Sequence, residues 1–320
     1  MKKRKGESMR YGKNSASNIS WDPGETQKGK FNGILRLLRI EHTLFSLPFA
    51  YMGAFLSGVP TLRELLWITI AVFSLRSAAM AFNNIADLGI DRLNPRSSKR
   101  PLVIGSISLK SAWAIVILGS LLYFFSAYEL NLPSFIMSPI PILLALSYPY
   151  AKRIHPWPHV HLGLVLALVV LGGSFGVLGD KYSNILTIFS KVPWVFMISV
   201  VLWVAGFDII YSIMDIDFDR KLGLGSVPAR FGVKSAKTLS LTFHVIMFFL
   251  LLLGIQEFHL GIFAYLTVLI AAILTFYGHF KVFKSLENIK LFFNLNLVIG
   301  LIISLGVILG RLTPYFHILG

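Results

Sequence analysis

Long apolar runs alternate with short polar stretches along most of the chain. A helix needs about 20 mainly apolar residues to cross roughly 30 Å of hydrocarbon. Nine segments meet or approach that requirement: about 43–58, 65–86, 110–128, 132–150, 159–179, 192–213, 238–255, 260–278 and 291–310. The fourth contains Pro133, Pro139 and Pro141, so we expect it to be kinked or partly unwound. The pattern predicts an all-α polytopic membrane protein with nine transmembrane helices.

The segment before the first apolar run has a different composition. It is rich in Lys, Arg, Ser, Gly and Asn. Such a segment cannot bury enough apolar surface to offset the entropy lost on ordering it. We therefore expect a disordered cationic tail over residues 1–32 and a single transmembrane domain over residues 33–320. No small-residue cleavage pattern closely follows the first apolar run, so we expect the tail not to be a signal peptide.

Charge and composition narrow the class further. The net charge of +15 would suggest nucleic-acid binding in a soluble protein. In a chain that is 55% apolar it is typical of loops beside anionic lipid, and we expect no nucleic-acid partner. Of the 30 Lys and Arg residues, 25 lie in the N-terminal segment and the even-numbered loops, which predicts that these are cytoplasmic and that the protein lies in the cell membrane. The absence of cysteine excludes disulfides, thiolate metal sites and a cysteine nucleophile.

Six of the eight aspartates fall in two short stretches, each where an even-numbered apolar segment enters a loop. Residues i and i+4 share a helix face, so Asn83, Asp87 and Asp91 form one polar stripe. Asp215 and Asp219 form a second stripe. Carboxylates one turn apart repel each other, and a divalent cation would offset that repulsion. Oxygen ligands favour Mg²⁺, which typically binds one or two carboxylates together with substrate phosphate oxygens.

The two stripes repeat one pattern at a constant spacing of 128 residues. The matching sequences are Asn83-x₃-Asp87-x₃-Asp91-Arg92 and Tyr211-x₃-Asp215-x₃-Asp219-Arg220. An internal repeat commonly places the ligand site of a membrane protein between its halves. We therefore expect two pseudo-repeated halves whose acidic helix ends bind metal ions and clamp a diphosphate.

Cations follow both stripes. Guanidinium and ammonium groups would pair with diphosphate oxygens that the metal ions leave uncovered. The candidates are Arg92, Arg96, Lys99, Arg100, Arg220 and Lys221. A cytoplasmic loop would also carry cations without any ligand, so composition alone leaves this alternative open.

The sequences around both stripes resemble those of a known family. NNIADLGIDRLNPRSSKRPL over residues 83–102 and DIIYSIMDIDFDRKLGLGSVPARFG over residues 208–232 resemble the two aspartate signatures of the UbiA family of intramembrane prenyltransferases. RIEHTLFSLPFAY over residues 39–51 and YPYAKRIHPWPHVHLG over residues 148–163 are also similar to family segments. The resemblance runs from about residue 34 to residue 310. It implies a nine-helix bundle, Mg²⁺-dependent ionisation of a polyprenyl diphosphate and alkylation of an acceptor.

The resemblance also implies roles for single residues. The two stripes would each form a metal–diphosphate site. Asp208, Tyr211 and Lys221 match positions that line the same cavity, and Asp208 is a candidate for removing the ring proton or orienting a phenol. Arg153 matches the basic position that is thought to hold the acceptor carboxylate in the 4-hydroxybenzoate branch. Arg39, just before the first apolar segment, is a rival for that role.

The expected reaction is polyprenyl transfer to an aromatic acid of the 4-hydroxybenzoate type in quinone biosynthesis. RIEHTLFSLPFAY also resembles a subgroup with enzymes of a menaquinone route, whose acceptor is a dihydroxynaphthoate. Both acceptors are phenolic acids, so the residues do not separate them. A secondary transporter would also carry paired intramembrane acids, but near mid-span rather than at helix ends. His159 and His161 lack a third metal ligand, and we expect both at the membrane interface.

Overall fold

The computed structural model describes residues 33–38 and 40–316, and these ranges contain helices and connecting turns but no strand. Residues 33–38 are helical. The predicted tail over residues 1–32 lies outside the described residues, so its order stays a prediction. The all-α prediction is confirmed.

The helices are numbered in chain order. They are α1 (Ile40–Ser57), α2 (Leu62–Ala86), α3 (Leu88–Leu93), α4 (Leu109–Leu130), α5 (Leu132–Met137), α6 (Pro139–Ile154), α7 (Pro158–Leu178), α8 (Ile185–Lys191), α9 (Trp194–Ser212), α10 (Ile216–Leu222), α11 (Val227–Glu257), α12 (Ile262–Lys284) and α13 (Ile289–Phe316). Two 3₁₀ turns, Ile213–Asp215 and Leu286–Asn288, precede α10 and α13.

Each of the nine predicted apolar segments coincides with a helix or a helix pair. Within the described ranges, eight helical segments are long and apolar enough to cross a membrane. α1, with 18 residues, corresponds to the first predicted segment. The fourth segment breaks at Ser138 into α5 and α6, which confirms the expected interruption. The chain is therefore a multi-pass membrane protein.

Small residues let the first and fifth transmembrane helices pack closely. A Cβ atom on Gly53 of α1 would lie 2.1 Å from the carbonyl oxygen of Val170 in α7. A Cβ atom on Gly173 would lie 1.9 Å from the carbonyl oxygen of Ala50. Close backbone approach of this kind is the usual way in which helices associate in lipid, where burying apolar side chains supplies little driving force.

Local signals set the ends of the helices that carry the two aspartate stripes. A capping box between Thr61 and Glu64 begins α2. Gly223, with φ of 65°, ends α10 in the left-handed conformation that glycine adopts most readily. Ser226 then caps α11 by accepting a hydrogen bond from the Ala229 N–H. Gly223 and Ser226 therefore determine where the chain turns beside the second stripe.

Candidate active site

A polar cavity of about 360 Å³ lies where α2 and α9 end and α7 begins. Its lining combines residues from both aspartate stretches with cations and aromatic rings. The stretch residues that line it are Asn83, Asp87, Asp91, Asp208, Tyr211, Asp215 and Asp219. Residues more than 120 positions apart in the sequence therefore share one cavity.

The first stripe follows a nearly continuous helical path. α2 ends at Ala86, and Asp87 has φ of −91° and ψ of 1° before α3 begins. Backbone bonds from Asp87 N–H to the Asn83 carbonyl, at 2.9 Å, and from Asp91 N–H to the Asp87 carbonyl, at 2.8 Å, bridge this irregularity. The three side chains consequently stay on one face, as the i+4 spacing predicts.

Cations hold both carboxylates of this stripe, whose side chains are only 5% exposed. Lys152 Nζ lies 3.2 Å from Asp87 Oδ2, and Arg153 Nη2 lies 3.0 Å from Asp87 Oδ1. Arg100 forms an ion pair with Asp91. Burial raises the pKa of Asp91 above its ordinary value, although the Arg100 guanidinium opposes the shift. Buried carboxylates need such partners because an unpaired buried charge costs several kcal/mol.

A loop from the first stripe reaches the second. Arg96 Nε donates to Asp215 Oδ1 at 2.9 Å, and Arg96 Nη2 contacts Asp215 Oδ2, so the pair is bidentate. The Arg96 guanidinium also lies 5.1 Å from the centre of the Tyr211 ring. Burial disfavours the charged guanidinium, but Asp215 and Tyr211 outweigh that effect, and the pKa of Arg96 is raised. Arg96 thereby joins the two halves of the cavity.

The other two acids of the second stretch that line the cavity take partners that carry no fixed charge. Ser226 Oγ donates to Asp219 Oδ2 at 2.9 Å. His159 Nδ1 lies 2.6 Å from Asp208 Oδ2. His159 is 1% exposed, so its ring is buried within the protein, and its expected place at the membrane interface stays a prediction. Its partner Asp208 is half-buried, and no local pattern links residues 49 positions apart. His161 is half-buried and lies 3.2 Å from Ser147 Oγ.

Four cations that the sequence assigns to diphosphate binding do not line the cavity. Arg92, Lys99, Arg220 and Lys221 are exposed. Arg92 follows Asp91 by one residue, which turns it by about 100° away from the stripe. Arg220 Nε instead donates to the Ala229 carbonyl at 3.1 Å, which ties α10 to the start of α11. Their placement does not support a phosphate-binding role.

Arg153 and Arg39 are the two residues that the sequence offers as partners of the acceptor carboxylate, and the structure describes the first of them. Arg153 contacts Asp87 and the Ala86 carbonyl, and its guanidinium lies 5.0 Å from the centre of the Tyr150 ring. It is not among the residues that line the cavity. Arg39 lies outside the described residues.

The cavity also contains residues outside the two aspartate stripes. Lys152, Tyr148, His159 and Ser226 line it. So does Arg76, seven residues before Asn83 on nearly the same face of α2. A charge inside an apolar helix is a signal that the sequence provides, because such charges face the bundle interior. Ser226 and His159 have no comparable signal.

The donor chemistry of the cavity suits Mg²⁺. Its acidic ligands are oxygen atoms only, and the buried Asn83 Oδ1 has no hydrogen-bond partner in the described part of the chain. No three His, Cys, Asp or Glu side chains among the described residues converge closely enough to hold a metal unaided. Mg²⁺ commonly binds one or two carboxylates and takes its other ligands from substrate phosphate and water. The stripe residues therefore fit this ion when a diphosphate is also present.

An apolar cavity of about 120 Å³ adjoins the polar one. Arg76, Met80 and Leu166 line both. The remaining walls of the apolar cavity come from α1, α2, α4, α5, α6 and α7, and include Leu130 and Phe175. The combined site therefore has a charged end and an apolar end.

An acidic, cation-rich cavity that adjoins an apolar one, inside a membrane-embedded helical bundle, suits an enzyme whose substrate joins a diphosphate to an apolar chain. Residues 46–309 match the model of the UbiA prenyltransferase family. The chain belongs to this family of prenyltransferases.

Two groups of curated relatives illustrate the match. The 4-hydroxybenzoate octaprenyltransferase of Francisella tularensis strain SCHU S4 is 32% identical over 252 residues, which cover 77% of this chain and 84% of the relative. The 4-hydroxybenzoate octaprenyltransferase of Vesicomyosocius okutanii is 31% identical over 256 residues, which cover 79% of this chain and 90% of the relative.

Solved structures have the same fold. An apo UbiA homolog from Aeropyrum pernix K1 is 50% identical with a TM-score of 0.81, covering 84% of this chain and 98% of that chain. A UbiA homolog from Archaeoglobus fulgidus, bound to GPP and Mg²⁺, is 21% identical with a TM-score of 0.62, covering 85% of this chain and 99% of that chain. At that identity the second similarity concerns the fold alone.

Proposed function

We propose that the chain transfers a polyprenyl group from polyprenyl diphosphate to an aromatic acid of the 4-hydroxybenzoate type, with Mg²⁺, in quinone biosynthesis. The observation that carries this proposal is the meeting of both aspartate stripes in one cavity, joined by the bidentate Arg96–Asp215 pair. The names of the curated relatives support the acceptor class. The Archaeoglobus fulgidus homolog bound to GPP and Mg²⁺ supports the donor and the metal.

The charged end of the site suits a diphosphate. Mg²⁺ held by the stripe carboxylates would neutralise the charge that develops on the departing diphosphate. A carboxylate that binds a metal ion no longer needs its cation. Arg96, Arg100 and Lys152, each now paired with a stripe carboxylate, would then be able to bind phosphate oxygens.

The apolar end suits the isoprenoid chain and the reactive allylic carbon. Leu130 and Phe175 belong to a cavity wall with few polar groups. Nearer the aspartates, the rings of Tyr211 and Phe293 pack with centres 4.6 Å apart and both line the polar cavity. Such rings exclude water from an allylic cation and stabilise it through their π faces.

The acceptor carboxylate needs a cation inside the cavity. The family resemblance favours Arg153, but this side chain lies beside Asp87 and outside the cavity lining. Arg76 lines both the polar and the apolar cavity. We expect Arg76→Ala to raise the acceptor KM by roughly 10-fold or more, because a buried carboxylate loses a charged partner.

Comparing two variants decides between these arginines. Arg153→Ala should leave the acceptor KM nearly unchanged if Arg76 holds the carboxylate. An acceptor without a carboxylate, such as phenol, should be a poor substrate for the parent and lose little further in Arg76→Ala. A rise in acceptor KM that is confined to Arg153→Ala would return the role to Arg153, and Arg39 is tested in the same way.

The proposed reaction is tested directly with purified protein in detergent. The protein is incubated with a polyprenyl diphosphate, Mg²⁺ and a panel of phenolic acids, and products are identified by mass. We expect a C-prenylated 4-hydroxybenzoate that forms only with Mg²⁺ and disappears with EDTA. A product from dihydroxynaphthoate alone would assign the other acceptor. Absence of any prenylated product would reject the proposal.

We further propose that the aspartate stripes lie at the cytoplasmic face of the cell membrane. The support is the location of 25 of the 30 Lys and Arg residues in the N-terminal segment and the even-numbered loops. The chain has no cysteine, so single cysteines report topology without a background signal. In intact cells, an impermeant maleimide should label Lys181→Cys and spare Lys99→Cys. The reverse pattern would invert the topology.

A further inference from the structure

Asp208 is held in the cavity wall by a residue from another helix. His159, in the first turn of α7, is 1% exposed, and its Nδ1 lies 2.6 Å from Asp208 Oδ2 in α9. On the other side of the ring, the backbone N–H of Val227 donates to His159 Nε2 at 3.3 Å. The imidazole therefore bridges Asp208 and the start of α11.

These two contacts determine where the ring hydrogen of His159 lies. A backbone N–H only donates, so Nε2 must accept with its lone pair. The ring hydrogen is then on Nδ1 and points at Asp208, because the bond at one imidazole nitrogen fixes the tautomer. With Nε2 sealed by Val227, the imidazole has no nitrogen left for substrate. The ring of His159 lines the cavity, but its two nitrogens can act on a ligand only through Asp208.

The two carboxylate oxygens of Asp208 have different surroundings. Oδ2 accepts from His159, and no other group in the described part of the chain bonds this side chain. The Asp208 side chain is 18% exposed and lines the polar cavity. Oδ1 is thus the oxygen that Asp208 can offer to a ligand.

We infer that His159 is a positioning residue, which holds Asp208 so that Oδ1 accepts the hydroxyl proton of the phenolic acceptor. This inference rests on the proposed function. A hydrogen bond from Nδ1 fixes the rotation of the carboxylate and keeps one oxygen directed at the cavity. A general base must be held within hydrogen-bond reach of the proton that it takes.

The proton transfer fits the chemistry of ring alkylation. The ring carbon ortho to the hydroxyl bonds to C1 of the prenyl group, while the C1–O bond breaks and its electron pair leaves with diphosphate. The hydroxyl proton passes to Asp208 Oδ1, so the alkylated ring is a neutral ketone. The ring proton at the alkylated carbon then leaves to diphosphate, and its electrons restore aromaticity. The proton on Asp208 returns to the ring oxygen.

Three substitutions separate positioning from packing. In His159→Asn the side-chain amide nitrogen occupies the place of Nδ1 and can donate to Asp208. In His159→Gln the amide lies near the place of Nε2, and in His159→Leu neither contact remains. We expect kcat to fall roughly 10- to 100-fold in the Gln and Leu variants and no more than about 5-fold in the Asn variant. The KM for polyprenyl diphosphate should stay within about two-fold of the parent value in all three.

Comparing two acceptors separates positioning from packing, because a loss of packing alone would lower kcat equally with both. The hydroxyl of 3-fluoro-4-hydroxybenzoate is more acidic than that of 4-hydroxybenzoate, so its reaction depends less on a proton acceptor. The kcat ratio of parent to His159→Leu should therefore be several-fold smaller with the fluorinated acceptor. The melting temperature in detergent serves as the folding control. His161→Leu, two residues further along the same helix, is the matched control and should keep the parent kcat.

The outcomes distinguish the two proposals. A parent protein that alkylates neither acceptor rejects the proposed function and, with it, the role of Asp208. An active parent with His159→Asn as impaired as His159→Leu, or with equal ratios for the two acceptors, rejects only the inference about His159. Variants that all melt far below the parent show that the imidazole serves stability, and also reject it. The inference about His159 is supported if His159→Asn retains most of the parent kcat and the kcat ratio of parent to His159→Leu is smaller with the fluorinated acceptor.

Discussion

The two aspartate stretches share a sequence pattern but balance their charge differently. In the first, each carboxylate faces a full cation: Asp87 contacts Lys152 and Arg153, and Asp91 contacts Arg100. In the second, and among the described residues, only Asp215 forms an ion pair with Lys or Arg. Its partner is Arg96, from the loop after the first stretch. Asp219 and Asp208 take a hydroxyl and an imidazole.

This difference suggests a division of labour within one cavity. A carboxylate whose partner is a hydroxyl or an imidazole has no Lys or Arg to release, so we expect the second stretch to bind a divalent cation more readily. A carboxylate bound to Lys or Arg must release that group before a metal ion can bind. Under the proposed function, the first stretch would supply cations to the diphosphate, and the second would offer the more accessible metal ligands. We expect metal binding to begin at the second stretch.

The largest effect is expected when one carboxylate of either stretch loses its charge. Asp87→Asn and Asp215→Asn should each reduce turnover on the order of 1,000-fold, because neither stretch alone can stabilise the departing diphosphate. The measurement is prenyl transfer at saturating Mg²⁺, with melting temperature as a check on folding. Asp217→Asn, an exposed neighbour on α10 that does not line the cavity, is the control. Near-normal activity in either cavity variant would show that the stretches are not both required.

A smaller loss is expected from the cations that span the cavity. Arg96→Gln and Arg100→Gln should weaken polyprenyl diphosphate binding about 10- to 100-fold, the usual cost of one charge-assisted hydrogen bond. Arg92→Gln and Lys221→Gln remove exposed cations from the same loops. They should change the affinity less than about two-fold. Affinity is measured with a non-hydrolysable thiodiphosphate analogue. Equal losses in all four variants would contradict the prediction that the cavity-lining cations bind diphosphate and the exposed ones do not.

The sequence predicts the fold well because few backbone structures can cross a lipid bilayer, and a long apolar run indicates one of them. Backbone groups in lipid must be satisfied within a helix, so an apolar run of sufficient length specifies both the element and its approximate ends. The site is predicted where it depends on local geometry. The i+4 spacing places Asn83, Asp87 and Asp91 on one face, and the backbone bonds at Asp87 preserve that face.

Contacts made by loops and between distant helices are not predictable in this way. The sequence offers Arg92 and Arg96 equally as candidates for binding diphosphate. Of these two, only Arg96 contacts Asp215, 119 positions away. The direction of a loop side chain depends on how the whole bundle packs, which no short pattern encodes. The same holds for His159, whose partner Asp208 becomes a neighbour only when α7 and α9 pack together.

A more modest change should make the first stretch resemble the second. Lys152→Gln removes a cation that competes with metal for Asp87 and leaves a neutral donor in its place. We expect Mg²⁺ binding without substrate to tighten by about five-fold, which corresponds to the loss of an ion pair worth roughly 1 kcal/mol. Calorimetric titration measures this, and Lys110→Gln, an exposed lysine at the start of α4, is the control. Unchanged or weaker binding would mean that Lys152 does not compete with the metal.

The smallest effect is expected outside both stretches, on removal of the cationic tail. Leu37 is fully buried in a cluster with Leu102 and Ile107, from the loop after the first stretch, so truncation has to stop at Gly33. A chain that begins there keeps every described residue that lines the cavity and every described ion pair of both stretches. We expect its kcat and both KM values in detergent to stay within about two-fold of the parent, as for surface changes away from a site. Loss of activity at an unchanged melting temperature would make the tail part of the catalytic unit, and the charge comparison would then have to include its lysines and arginines.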